Sequence, residues 1–269
     1  DKNDLLDEQP KLAHAKYIEG AIEVYEQLEI AIKDCVVNNE IPIVIAGDHG
    51  SAGGTIAGLK AANRDKRIGV VWIDAHGDVH TPYTTPSGNI HGMPVAAALS
   101  IDNLDCKRNE LDSETIAQWE KLKNAGAVGP KIQPEDIVFV AVRDTEEEED
   151  FVISNNNIRS VLVEEVRTKG VAVIFEEIRE KLQDCDLIYI SFDVDSMDPI
   201  ETSYGTGTPV ENGLMVQEAK DLIESLVHLP NFACFEMVEI NPCLDEKKNK
   251  MADVSLTILE TVLETIKKI

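Results

Sequence analysis

The chain has 269 residues, 43 % apolar and 28 % charged, the proportions of a folded globular protein and not of a disordered one. Fifty acidic residues oppose twenty-five basic ones, for a formal net charge of −25. Such a field repels a phosphate backbone and attracts cations, which argues against nucleic acid as a partner. No apolar run approaches the ~20 residues that span a bilayer, and Asp1-Lys2-Asn3-Asp4 does not read as the start of a signal peptide. Five cysteines, odd in number and without a CxxC pair, fit free thiols in a reducing cytoplasm.

Ile18, Ile22, Tyr25, Leu28 and Ile32 recur at helical spacing and predict a helix over 16–39. Residues 41–46 read as a short buried strand ending in Gly47-Asp48-His49, and a Gly- and Ala-rich helix follows over about 53–63. A second strand, 69–73, ends in Asp74-Ala75-His76. Residues 102–135 form a longer polar connection, with a helix around Trp119 and a turn near Gly129-Pro130. A third strand, 137–142, ends in Arg143-Asp144, and the acidic run 146–150 reads as a solvated loop. A fourth, 187–192, ends in Asp193-Val194-Asp195, and a fifth, 232–238, ends in Glu239-Ile240-Asn241-Pro242. Helices are predicted near 171–183, 214–228 and 250–268. Near-continuous apolar strands separated by helices predict an α/β protein, with a mainly parallel central sheet in a three-layer α/β/α arrangement. No Pro- or Gly-rich linker divides the chain, so residues 1–269 are expected to form a single domain.

The polar residues fall where the strands end, and ligands of open α/β sheets bind outside the carboxyl ends of the strands. In extended chain, residues two apart point the same way. Asp74, His76 and Asp78 therefore converge, as do Asp193 and Asp195, while His49 stands at the end of another strand. Four carboxylates crowded without cations repel one another strongly, and two divalent ions would balance them. An oxygen-rich set with imidazoles and no cysteine favours Mn2+ over Mg2+, Ca2+ or Zn2+, with Co2+ and Fe2+ as alternatives.

Several segments together resemble the ureohydrolase family: Gly47-Asp48-His49, Asp74-Ala75-His76-Gly77-Asp78, Ser87-Gly88-Asn89-Ile90-His91-Gly92, Ser191-Phe192-Asp193-Val194-Asp195-Ser196-Met197-Asp198-Pro199 and Gly207-Thr208-Pro209. The resemblance runs from about residue 40 to the end in the family's motif order, and Thr84-Thr85-Pro86-Ser87-Gly88-Asn89 is similar to the arginase form of its loop. It implies an arginase-like fold and a pair of manganese ions. His49, Asp74, Asp78 and Asp193 would hold one ion, and Asp74, His76, Asp193 and Asp195 the other, with Asp74 and Asp193 bridging. It further implies that a metal-bridging hydroxide, oriented by Asp78, attacks the guanidinium carbon of L-arginine to give urea and L-ornithine. Glu239 would pair with the guanidinium and His91 would shuttle a proton to the leaving amine. His80, Ser87 and Asn89 would face the substrate α-carboxylate, Asp144 and Glu146 its α-amino group, and Thr208 would shape the pocket. His80 stands where arginases commonly carry asparagine, and Glu146 is one methylene longer than their common aspartate. The alternative substrates are those of other ureohydrolases: agmatine, a guanidino acid or formiminoglutamate. The family's first strand has no counterpart here, so residues are expected before Asp1. Trimers or hexamers are implied by the resemblance alone.

Overall fold

The computed structural model describes Leu5 and residues 7–268. In chain order they form α1 (Ile18–Val37), β1 (Ile43–Ile45), α2 (Ala52–Ala62), β2 (Ile68–Ile73), α3 (Pro94–Leu99), α4 (Ser113–Lys123), β3 (Ile137–Val140), α5 (Glu147–Asn155), β4 (Arg159–Val161), α6 (Val163–Lys169), α7 (Val171–Lys181), β5 (Leu187–Asp193), α8 (Val216–Val227), β6 (Phe232–Val238) and α9 (Lys250–Ile266). The strands build one sheet in the order β1-β6-β5-β2-β3-β4, and every neighbouring pair is parallel.

Both faces of the sheet are apolar, and the pleat separates them. Val71, Ile73, Val138, Val140, Ile190 and Phe192 pack on one side with Ile174 and Ile178 of α7, Leu222 and Leu226 of α8, and Ile258 and Val262 of α9. Val70, Trp72, Ile137, Phe139, Tyr189 and Cys234 pack on the other side with Ile56 and Leu59 of α2. The result is the expected three-layer α/β/α arrangement. On the second side α1 lies directly against α2, an approach that glycine permits: a Cβ at Gly53 would stand 2.0 Å from the Tyr25 hydroxyl.

Because all strands are parallel, their carboxyl ends share one edge. From β2 the chain moves outward to β3 and β4, then returns to β5 and β6 on the far side of β2. The β2/β5 junction is therefore the point where strand order reverses, and it brings Asp74 and Asp193 to adjacent strand ends. No helix among the described residues is long and apolar enough to cross a membrane.

Differences from the sequence reading have local causes. Helix α1 starts at Ile18, because Tyr17 takes a left-handed conformation with φ 57°. Strand β4 went unread because it is a three-residue edge strand, Arg-Ser-Val, that pairs with β3 on one side. The acidic run is not a solvated loop but the start of α5, where carboxylates meet unpaired backbone N–H groups and the positive end of the helix. Glu149, inside that run, is turned inward and only 3 % exposed.

Candidate active site

The metal-ligand candidates sit on three strand ends, and Glu239 on a fourth. Beyond β1 the chain makes a short 3-10 turn, His49–Ser51, capped by Asp48, whose Oδ1 accepts the Gly50 N–H at 2.9 Å. Asp48 thus shapes the loop that carries His49. After β2 come Asp74, His76 and Asp78, the last in a left-handed conformation at φ 50°. Asp193 ends β5 and accepts the Asp195 N–H at 2.8 Å, which ties the two aspartates into one turn. Glu239 follows β6 with φ 67°.

These residues meet. His49 Nδ1 lies 2.8 Å from Asp74 Oδ2, 3.1 Å from Asp78 Oδ2 and 3.3 Å from Asp193 Oδ2. His76 Nδ1 lies 3.3 Å from Asp74 Oδ1 and 3.1 Å from Asp195 Oδ2. Asp74 therefore turns one oxygen to each imidazole. Two groups with the spacing of a metal site result, His49-Asp74-Asp78 and Asp74-His76-Asp195, and they share Asp74. Trp72 fixes the arrangement from below: its ring stacks on His49 at 3.9 Å and 7°, and its Nε1–H donates to Asp74 Oδ2 at 3.0 Å. Arg143 fixes it from the side, donating to the carbonyls of Asp195 and Val210 at 3.0 and 2.6 Å and so clasping the loop of Thr208 to the Asp195 turn.

The cluster is starved of positive charge. Burial and the neighbouring Asp195 and Asp74 push the Asp193 carboxyl well above its ordinary range, and burial beside Asp74 raises Asp78 and Asp195 too. Burial pulls the imidazoles down, but their carboxylate partners outweigh it: His76 is pushed up to about 12 and His49 well above its usual value. Asp74 is the exception. Burial raises it, yet His49 and His76 hold it below the usual carboxylate range. In addition, His49 Nδ1 and Asp78 Oδ2 are buried without a hydrogen bond of good geometry, a cost unless another partner is met. Two divalent cations fit this donor set: they neutralise the carboxylates and use the unpaired atoms.

Beside the cluster lies a cavity of about 230 Å³, walled by His49, His76, Asp78 and Asp193 on one side and by His80, Ser87, Asn89, His91, Glu146, Thr208 and Glu239 elsewhere. A larger cavity of about 460 Å³, between α1 and the His49 loop, shares Asn89 and His91 with it but holds none of the clustered carboxylates. His91 is half-exposed, with Nδ1 3.9 Å from Glu239 Oε1. Glu239 Oε1 accepts the His49 N–H at 3.0 Å; burial pushes its carboxyl up to about 7, the His49 N–H opposes that, and Asp48 adds to it. Thr208 donates to Asp195 Oδ2 at 3.1 Å while facing the cavity. The Ser87–Asn89 loop is held by Thr85, whose Oγ1 accepts the Gly88 N–H at 2.9 Å. Gly88 is required there, since a Cβ would meet the Ala13 carbonyl at 2.0 Å.

Two of the expected substrate contacts have other neighbours in the structure. Both ring nitrogens of His80 are engaged, Nδ1 with Thr84 Oγ1 at 3.1 Å and Nε2 with Glu146 Oε2 at 2.9 Å, so it has no free donor for a ligand carboxylate. Asp144 is 68 % exposed at the side chain, 3.8 Å from His76 Nε2, and is not a wall of the cavity. Glu149, which the sequence reading missed, is a wall. It accepts the N–H groups of Val79 and Glu146 at 3.3 and 3.2 Å, and with His80 and Glu146 it forms a third group of metal-like spacing. None of its atoms is a buried group without a hydrogen bond, whereas His49 Nδ1 and Asp78 Oδ2 of the first group are. The signal for Glu149 was the Glu146-to-Glu149 spacing, the pattern of a helix-capping pair.

Residues 7–264 match the family model described as the arginase family. An arginase of Bacillus caldovelox is 36 % identical over 243 residues, covering 90 % of this chain and 75 % of its own. The solved native structure of Bacillus caldovelox arginase is similar with a TM-score of 0.82 at 34 % identity, over 95 % of this chain and 79 % of that one. An Entamoeba histolytica arginase solved in complex with L-ornithine has a TM-score of 0.80 at 30 % identity, over 95 % and 80 % of the two chains.

Proposed function

The chain belongs to the arginase family, and we propose on that premise that it is a binuclear manganese hydrolase converting L-arginine and water to L-ornithine and urea. The observation that carries the reading is Asp74, which turns one carboxylate oxygen to each of two imidazoles inside a buried cluster of four aspartates. His49, Asp74, Asp78 and Asp193 would hold one ion, and Asp74, His76, Asp193 and Asp195 the other. Divalent ions bound there supply water activation, lowering the pKa of water from ~15.7 toward ~7.

The protein's own groups account for the rest. The substrate is a cation, and Glu239 on the cavity wall offers a partly buried carboxylate for its guanidinium. Asp78, on the cavity wall, accepts a hydrogen bond from the attacking water and orients it toward the guanidinium carbon. His91, close to Glu239 and open to solvent, gives a proton to the leaving nitrogen as the carbon–nitrogen bond breaks. Ser87 and Asn89 face the α-carboxylate, and Glu146, held by His80, faces the α-ammonium with Glu149 behind it and Asp144 at the rim. The same reading makes the protein a single-domain, cytoplasmic homo-oligomer, a trimer or hexamer; five free cysteines support a reducing compartment.

The test is a substrate panel on manganese-loaded protein, reading urea or amine release from arginine, agmatine, a guanidino acid and formiminoglutamate. Arginine should give the highest kcat/KM. Faster turnover of agmatine would move the protein to another ureohydrolase activity.

A further inference from the structure

We propose that Glu236 acts through Tyr189 and Ser191 to fix the proton of His49 on its outer nitrogen, leaving the inner nitrogen free for a cation. This rests on the metal-binding part of the reading above and assigns Glu236 and Tyr189 as positioning residues. Strand β6 is apolar on both faces except for Glu236, which is fully buried. The parallel register sets Trp72 beside Ser191 and Ser191 beside Glu236, in one row across three strands. Tyr189, two residues before Ser191 on β5, shares that face.

The row forms a continuous chain of hydrogen bonds. Glu236 Oε1 lies 2.6 Å from Ser51 Oγ, and Glu236 Oε2 lies 2.7 Å from the Tyr189 hydroxyl. That hydroxyl lies 3.1 Å from Ser191 Oγ, which lies 2.7 Å from His49 Nε2. A carboxylate only accepts, so both hydroxyls facing Glu236 donate to it. Tyr189 has one hydroxyl proton; once it is given to Glu236, the Tyr189 oxygen accepts from Ser191. Ser191 has one proton as well, so its oxygen accepts from the His49 Nε2–H. With one proton per link, Glu236 sets the direction of every bond. At the other end of the chain, Nδ1 is the His49 atom that points among Asp74, Asp78 and Asp193 without a satisfied hydrogen bond. Cutting the chain at Tyr189 frees Ser191 to donate to Nε2, which competes with the Nε2–H form that leaves Nδ1 to a cation.

Tyr189→Phe keeps the ring and deletes the hydroxyl. Mn2+ affinity of the full chain, measured by chelator competition, should fall about 10- to 100-fold, the scale of outer partners of metal-bound histidines, while the metal-free protein melts within a few degrees of the parent. Glu236→Met should match it. Glu236→Gln, whose amide oxygen still accepts from Tyr189, should stay within about threefold. In Zn2+-loaded protein, a diamagnetic stand-in, the His49 Nε2–H proton resonance should move upfield and exchange faster in Tyr189→Phe, which a merely structural tyrosine would not cause. If Tyr189→Phe does not fold, Ser191→Ala carries the same expectations against Glu236→Gln. Unchanged Mn2+ affinity and an unchanged His49 resonance in Tyr189→Phe would overturn the inference alone. A parent protein that binds no Mn2+ would instead overturn the functional reading on which it rests.

Discussion

Two acidic clusters in this molecule have similar ingredients and opposite characters. On the surface, Arg159 and Lys169 sit among Glu165 and Glu177, with nitrogen–oxygen distances of 2.7 to 3.0 Å. Two cations meet two anions, so the group is balanced by its own residues, and Arg159 holds the Glu165 carboxyl down to about 2. At the strand ends, four buried aspartates have two imidazoles for company and no lysine or arginine side chain as an ion-pair partner among those described. Their carboxyls, Asp74 aside, are driven up. What marks a site is not acidity but charge left unbalanced where water cannot repair it.

The sharpest way to break this contrast is Asp193→Asn. It keeps the shape and removes one carboxylate, so Mn2+ binding should collapse and urea release from arginine should fall by at least about 10³-fold. At pH values where the parent's Asp193 has lost its proton, the metal-free variant should nevertheless melt higher than the metal-free parent, because a strained negative charge has gone. Calorimetry with and without chelator, beside metal analysis, reads both effects; a lower melting temperature in the metal-free variant would contradict the account of the cluster. His91→Asn should separate chemistry from metal binding, with kcat reduced about 10²- to 10⁴-fold at unchanged Mn2+ content. Full turnover in that variant would remove His91 from the proton path.

A milder test is pH. Asp193, Asp78 and Asp195 have carboxyls raised above their unfolded values, so in the folded metal-free protein they hold protons that the unfolded chain releases above about 4. Their contribution is present below that value and is lost as pH rises through the folded values. His76, raised to about 12, adds a contribution that is full below its unfolded value near 6.5 and is lost progressively as pH rises toward about 12. The chelated protein should therefore lose thermal stability as pH climbs from about 5 toward 9, and Mn2+ should flatten the trend. A chelated protein whose stability rises over that interval would refute it.

The sequence exposed the candidate metal ligands because a polar residue that ends an apolar run is deposited at a strand terminus, where its position follows from topology. It hid whatever composition does not distinguish. Glu149 and the neighbouring acids of 146–150 look alike in sequence, yet the helical turn of α5 buries Glu149 and leaves Glu147 in solvent. Glu236 was read as part of a strand, although one charge in an otherwise apolar segment, buried on both faces, is itself a signal that a hydrogen-bonded partner must exist. His80 lies in the pocket wall, and only three dimensions show that Thr84 and Glu146 engage both its nitrogens. Trp72 reads as core from its neighbours, and its stacking on His49 depends on a register that no single strand reveals.

The smallest effect should come from the balanced cluster. Glu165→Gln removes an acceptor of Arg159 and Lys169, and since the group is partly solvated, the cost should be about 0.2–1 kcal/mol, a melting shift of roughly 0.4–4 °C. Glu165 has a depressed carboxyl, so its contribution is present above its unfolded value near 4.3 and disappears as pH falls through about 2. Parent and variant should thus differ at neutral pH and converge as acid is added, and 1 M salt should shrink the neutral difference. Mn2+ binding and urea release should be unchanged, since β4 and α6 carry none of the residues of the cavity wall. A loss as large as that of Asp193→Asn would erase the distinction between a cluster closed by its own residues and one built to receive cations.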